Sequence, residues 1–248
     1  MATGDDYEFY PCLVDGAPAS FYVNLRFERA APPPNDTTRY TIEIALLERG
    51  EHGIGTADEA SAVNLVEEAI LRGAEDLGIT YVGRLRTRGY WEIVLYGPAG
   101  HLGALRALAS EHAADRRVVA RSEHDPGWSY YRELLLPDAE RRQWMDDRRM
   151  VEIIGDQGDR LVTPRRVDHR LAFPTPTTRD AFVAAATAAG FTAGSTADVA
   201  DGDLPHCVHV HRVDPIELEH IHDVVMTLVD AATPHGGHYE RWVAGLET

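Results

Sequence analysis

The chain has 248 residues, 44% of them hydrophobic, and a formal net charge of −16. That length exceeds one small domain and supports two ordinary cores. The acidity repels phosphate backbones, so direct nucleic-acid binding is not expected. All 24 basic residues are arginines, which excludes lysine Schiff-base and P-loop lysine chemistry.

The charge is spread evenly: residues 1–136 hold 21 acids and 13 arginines, and residues 137–248 hold 19 and 11. Neither half is a charged tail. Cys12 and Cys207 are far apart and form no CxxC pair, which suits free thiols in a reducing compartment. The start, MATGDDYEFY, lacks a basic region followed by an apolar run, and no stretch approaches the roughly 18 apolar residues of a spanning helix. The expectation is a cytoplasmic protein with no membrane association.

Residues Ser20 to Arg29 alternate as a strand, and Pro32-Pro33-Pro34-Asn35-Asp36 breaks the pattern with turn chemistry. Tyr40 to Leu47 resumes a strand. Thr56 followed by Glu59 reads as a capping box, and Val63, Val66, Ile70, Gly73 and Leu77 then recur at helical spacing up to Gly78. Ile79 to Arg86 and Tyr90 to Tyr96 read as strands joined by a hairpin at Thr87-Arg88-Gly89. Leu102 to Ala113 is a second helix, Arg117 to Arg121 a strand, and Trp128 to Leu136 is expected to add another strand.

Pro137-Asp138 opens an arginine-rich helix that holds Trp144, Val151 and Ile154 and stops at Gly155 to Gly158. Its acid pair Asp146-Asp147 reads as solvated ion-pair surface. Arg166 to Phe173 is a strand, and Thr178 to Ala189 a helix closed by Gly190. Asp198, Asp201, Gly202, Asp203 and Pro205 mark a hairpin tip leading into a strand at Cys207 to Val213. Asp214-Pro215-Ile216-Glu217 reads as a helix start at Pro215, with Ile221, Val224, Val225, Leu228 and Ala232 on the core face. Pro234 and Gly236-Gly237 stop that helix, and His238 to Ala244 is a closing strand. The order strand, helix, strand, strand, helix, strand thus occurs twice, so the expected fold is α+β, two tandem ferredoxin-like (βαββαβ) units with antiparallel sheets, at residues 1–136 and 137–248.

Gly158, Asp159, Pro164, Arg165, Val167, His169 and Phe173, followed by Gly236, Gly237, Tyr239 and Trp242, resemble the motif of the regulator of ribonuclease activity B family. The segment Asp125-Pro126-Gly127-Trp128-Ser129-Tyr130-Tyr131, with Leu135 and Pro137-Asp138, resembles a domain of unknown function often fused ahead of it. The chain departs from the family where Tyr-Asp-Gly-Trp becomes Tyr239-Glu240-Arg241-Trp242. The resemblance implies a ferredoxin-like fold in the second half, no catalysis and no cofactor. It further implies a role in RNA metabolism by binding a protein partner, a ribonuclease E-type nuclease.

Period two separates Asp168 and Arg170 from Val167, His169, Leu171 and Phe173, so His169 faces the core while Asp168 and Arg170 face away. His209 and His211 lie on the open face of their strand, with Glu240 nearby through the fold. Asp168, Arg170, His209, His211 and Glu240 are therefore the partner-binding candidates. His-x-His on one strand is a geometry zinc uses, but the spacing matches no closed structural pattern and no metal site is expected. His220 and His222 read as surface residues that do not face the same way. For the arginines around the motif, the favoured role is internal, a fork from the Pro164-Arg165 loop onto Asp159. Two other readings stay open: a protein-interaction or small-ligand module unrelated to RNA turnover, and a histidine-dependent enzyme. Oligomeric state is not legible.

Overall fold

A computed structural model of the chain describes residues 4–199 and 202–247, so Asp201, expected at a hairpin tip, lies outside the described residues. The chain divides into two units, Met1–Arg142 and Gln143–Thr248. The division falls inside a helix, beyond the expected position after Leu136.

The first unit contains β1 (Tyr7–Val14), β2 (Ala17–Asn24), β3 (Thr38–Ala45), α1 (Ala57–Asp76), β4 (Thr80–Thr87), β5 (Tyr90–Gly97), α2 (Leu102–His112) and β6 (Val118–His124). Its antiparallel sheet has the order β1-β2-β4-β5-β3-β6. The last four strands of that order, with α1 and α2, are a ferredoxin-like βαββαβ core. The β1–β2 hairpin extends it past β4. That hairpin was not foreseen, although Asp15-Gly16, at φ 48° and 74°, is a two-residue turn of the kind hairpins favour. The expected strand at Ser20 to Arg29 ends early, because Asn24 caps a 3-10 turn at Leu25–Phe27 by accepting from Arg26 N at 3.2 Å.

Thr56 does cap α1, its Oγ1 accepting from Glu59 N at 3.2 Å. The other half of the capping box is absent. Glu59 instead accepts from Leu47 N at 2.7 Å and pairs with Arg116, which fastens the helix start to neighbouring chain. Val63, Ile70 and Ala74 of α1 and Leu105 and Ala109 of α2 pack on Tyr40, Ile42, Ile44, Trp91, Ile93 and Leu95.

The opposite face of this sheet carries Tyr10, Phe21 and Tyr96, all buried. It is met by the segment expected to be a strand at Trp128 to Leu136, which is helical and ends in a π-helical turn at Tyr131–Leu135. Trp128, Tyr131 and Leu135 are fully buried at spacings of three and four, a helical pattern that the strand reading overlooked. Asp125 starts the turn by accepting from Ser129 N at 2.7 Å and Tyr130 N at 3.1 Å, and it also accepts from the Tyr96 hydroxyl at 2.6 Å. Trp128 stacks on Tyr96 at 4.3 Å and donates to the Asp36 carbonyl at 2.8 Å.

The second unit contains most of α3 (Ala139–Gly155), then β7 (Arg165–Phe173), α4 (Pro176–Ala188), β8 (Thr192–Asp198), β9 (His206–Asp214), α5 (Leu218–Ala232) and β10 (His238–Ala244). Its antiparallel sheet, ordered β10-β7-β9-β8, is the ferredoxin-like arrangement again. Val167, Leu171, Phe173, Val208 and Val210 pack with Phe182 of α4, with Ile221, Val225 and Leu228 of α5, and with Val151 and Ile154 of α3. The α5 helix starts at Leu218, not Pro215. Asp214 is drawn away from a capping role because its carboxylate accepts from Arg212 and His220 at 2.8 and 3.0 Å.

Asp125→Ala removes four acceptor bonds and leaves the buried Tyr96 hydroxyl without its acceptor. It is expected to destabilise the chain by about 2–4 kcal/mol. Urea unfolding checks this, with Ser129→Ala, which removes one hydroxyl, expected within about 1 kcal/mol of the parent.

Candidate functional site

The second unit joins its motif residues through two buried carboxylates. Asp159 follows the α3 stop, where Gly158 takes φ 89°. Its two oxygens pair with the Arg165 guanidinium, both side chains at most 4% exposed, and accept from Leu161 N and Glu247 N at 2.7 Å. Arg165 also donates to the carbonyls of Thr163 and Gly245, at 3.0 and 3.1 Å. The Arg165 hydrogen bonds, then those of the two backbone amides, hold the Asp159 carboxyl well below the usual carboxylate range. Pro164 precedes the fork on an exposed turn. Leu161 takes φ 67°, a costly geometry for a branched side chain that its bonds to Asp159 and Ile216 stabilise.

Asp147 corrects the reading of Asp146-Asp147 as solvated surface, because it is 1% exposed. It accepts from Trp242 Nε1 and Gln143 Nε2 at 2.9 and 3.0 Å, and its other oxygen lies 2.9 Å from His222 Nδ1. One carboxylate thereby ties α3, α5 and β10 together. His222, expected on the surface, is 12% exposed for that reason, whereas His220 is 44% exposed.

Tyr239 and Trp242 are both buried although they stand three apart on one strand. Strict alternation would put one of them in solvent. The ladder between β10 and β7 shifts register between Tyr239 and Arg241, a β-bulge at which Glu240 and Arg241 both stay exposed. The departure from Tyr-Asp-Gly-Trp therefore falls on a bulge, where side chains point outward. Gly236, at φ 65°, ends the turn before β10, and a Cβ on Gly237 would lie 2.2 Å from the Phe173 ring.

His169 is completely buried beside Phe191 and Tyr239, its Nδ1 2.8 Å from the Tyr239 hydroxyl. Its Nε2 has no hydrogen-bond partner among the described residues. Burial pushes its pKa down to about 4, so the ring is neutral near pH 7. It shares the core side of β7 with Val167 and Phe173, both fully buried.

On the other side, Asp168 is paired with Arg166 at 2.6 Å and Arg170 with Glu240 at 2.8 Å. Arg170 also donates to Cys207 Sγ at 3.3 Å. The Arg166 guanidinium holds the Asp168 carboxyl below its ordinary value. His209 Nδ1 lies 3.2 Å from Ser195 Oγ on β8, and His211 Nδ1 is buried without a hydrogen-bond partner among the described residues. Asp168, Arg170, His209, His211 and Glu240 thus belong to one sheet face, on which Arg170 is paired with Glu240 and Asp168 with Arg166. Ser195 and His209 form a hydroxyl–imidazole pair with no carboxylate hydrogen-bonded to the ring among the described residues, so the orienting third group of a catalytic triad is lacking there. No group of three or more His, Cys, Asp or Glu among the described residues could hold a metal ion.

A second charged surface lies on a helix. On α5, Glu219, Asp223 and Asp230 are exposed at spacings of four and seven, hence on one face, and the helix contains no arginine. Its sequence signal is the absence of arginine from an amphipathic helix in an arginine-rich chain.

Fold and site together define a two-unit α+β protein whose second unit is built for internal rigidity and a charged exterior. Residues 144–243 match the family model of the regulator of ribonuclease activity B, and residues 5–136, just over half the chain, match a family of unknown function (DUF695). The chain belongs to that family of unknown function and carries behind it a domain of the ribonuclease regulator family. A search of curated proteins returns no match. Among solved structures, an unknown protein from Galdieria sulphuraria aligns at 10% identity and a TM-score of 0.23, covering 84% of this chain and 99% of its own. A "putative glycine cleavage system transcriptional repressor" aligns at 6% identity and 0.26, covering 84% and 98%. Neither likeness carries an argument at those scores. Among the described residues no helix is long and apolar enough to cross a membrane.

His169 has a depressed pKa in the folded state, so its contribution to stability is complete above pH 6.5 and is lost as pH falls from there towards about 4. Denaturation between pH 7 and 4 is expected to show a loss of up to about 3 kcal/mol from this group, and His169→Gln should lack that component. Deleting Arg241 removes the bulge and turns Trp242 outward, at an expected cost of about 3–5 kcal/mol with a red-shifted tryptophan emission. Glu240→Ala keeps the register and should stay within about 1 kcal/mol.

Proposed function

We propose that the chain is a non-catalytic regulator that binds an RNA-degrading enzyme, of the ribonuclease E type, through its second unit in the cytoplasm. The observation that carries this reading is the match of residues 144–243 to the regulator of ribonuclease activity B family. Within that unit the acidic face of α5 is the docking surface, because Glu219, Asp223 and Asp230 stand together on a helix without arginine. The open sheet face, with Asp168 and Arg170 already paired, has less charge to offer. Such a face suits an arginine-rich flexible segment of the nuclease, where charge complementarity sets encounter rate and specificity.

The test is titration of the purified chain against the nuclease from its own cell, read as binding and as RNA cleavage. Binding is expected to weaken at least about tenfold between 50 and 300 mM salt, as screening dictates. The triple substitution Glu219→Arg, Asp223→Arg and Asp230→Arg should abolish both binding and inhibition, while Asp168→Asn leaves them unchanged. No salt-sensitive complex, or full inhibition by the triple variant, would refute the reading.

A further inference from the structure

An open sheet ends in two edge strands, whose outward backbone N–H and C=O groups have no ladder partner and offer a template to another chain. The two sheets have four such edges, β1 and β6 in the first unit and β10 and β8 in the second. Three of them carry side chains that discourage pairing. β1 holds Glu8 and Pro11, β6 holds Arg121 and Glu123, and β10 holds Glu240 and Arg241 at its bulge. β8 has no proline and no charge before its last residue, Asp198, and every one of its residues is exposed.

The helix beside it is equally bare. The run from Ala181 to Ala197 covers the second half of α4, its turn and β8 up to Asp198. It is the longest stretch without a charged side chain in a chain that is 26% charged. α4 packs along β8 and β9, whereas α5 packs along β10. Arg179 marks the flank of α4 that is turned to β8, its guanidinium lying 2.9 Å from Asp180 and 3.8 Å from Asp198. Val183 and Thr187 follow Arg179 at spacings of four and so share that flank. Thr187 is exposed, as are Ala184 and Ala188. The exposed faces of the other helices are charged, with Glu68 and Arg72 on α1, Arg106 and Glu111 on α2, and Glu219 and Asp223 on α5.

Charge selects the occupant. Two copies of a chain with a formal charge of −16 repel one another, and they approach at least cost where both surfaces are neutral. Identical strands run antiparallel are also self-complementary, because a two-fold axis sets the first half of each against the second half of the other. Centred on Ser195, such a pairing sets Asp198 of one copy opposite Thr192 of the other. No like charges then face each other across the ladder, an arrangement that would destabilise it.

We propose that β8 pairs antiparallel with β8 of a second copy of this chain, joining the two four-stranded sheets into one and bringing the two α4 flanks side by side. α5 lies over the other end of the sheet, so its acidic face stays free in the dimer. The ladder to β9 shifts register between Ala193 and Thr196, and this bulge is the one device that guards the β8 edge. A short pairing across a bulge is a small interface, so the dimer is weak.

Sedimentation equilibrium of the full chain from about 5 μM to 1 mM tests this, with dimerisation expected at a Kd of about 10 to 500 μM. Over the same range, amide hydrogen exchange at Thr192 to Asp198 should slow at least about threefold as concentration rises, which a dimer formed through another surface would not produce. Ser195→Arg sets two arginines opposite each other and should weaken the dimer at least about tenfold. Thr187→Arg, on the α4 flank, should weaken it at least about threefold. Both positions are exposed, so both variants keep the fold. Glu219→Gln on α5 should dimerise like the parent. A monomer at every concentration would overturn the proposal and leave the edge to a different protein. So would a dimer that Ser195→Arg leaves intact, or one without slowed exchange at β8.

Discussion

A βαββαβ unit places both helices on one side of its sheet, and the other side must be covered or made polar because apolar surface and water do not coexist cheaply. The two units meet this constraint differently. In the first, the far side carries Tyr10, Phe21 and Tyr96, and the helical segment with Trp128, Tyr131 and Leu135 covers it. In the second, the far side carries Asp168, Arg170, His209 and His211, which need no apolar cover. The first unit is thereby a sheet closed on both faces, with an edge hairpin that overhangs its helices.

Rigidity in the second unit comes from carboxylates placed where no water competes. Asp147 gathers Trp242, Gln143 and His222, and Asp159 gathers Arg165 with two backbone amides. Removing one partner from such a cluster leaves a buried charge uncompensated, so each cluster behaves as an all-or-none lock. The bulge at Glu240 belongs to the same design, since it lets Tyr239 reach His169 while Trp242 reaches Asp147. The motif that marks the family is on this account mainly the interior framework of the domain. The acidic α5 face lies outside that framework.

Much of the fold was legible in the sequence. Helical spacing gave α1, α2, α4 and α5, alternation gave β3 to β5, β7 and β9, and their order implied two ferredoxin-like units, because periodicity is a local property that the chain displays directly. Misreadings arose where local signals competed. Aromatic residues favour strands, which suits a strand at Trp128 to Leu136, whereas the spacing of Trp128, Tyr131 and Leu135 and the Asp125 cap demand a helix. Pro215 was taken for a helix start because Asp214 resembles a cap, yet Arg212 and His220 had first claim on that carboxylate. β8 lacks buried alternation altogether, every residue being exposed, so nothing in its composition announces more than a hairpin arm.

Sequence by itself determined the number of units, their element order and the face on which His169 lies, all consequences of periodicity and turn chemistry. Only the tertiary structure decided which polar groups are interior. Asp147 and Asp168 each have an arginine within two residues along the chain, but one is buried under an indole and the other lies on the sheet face. The burial of a charge depends on what long-range packing brings over it, and that information resides in contacts between residues distant along the chain.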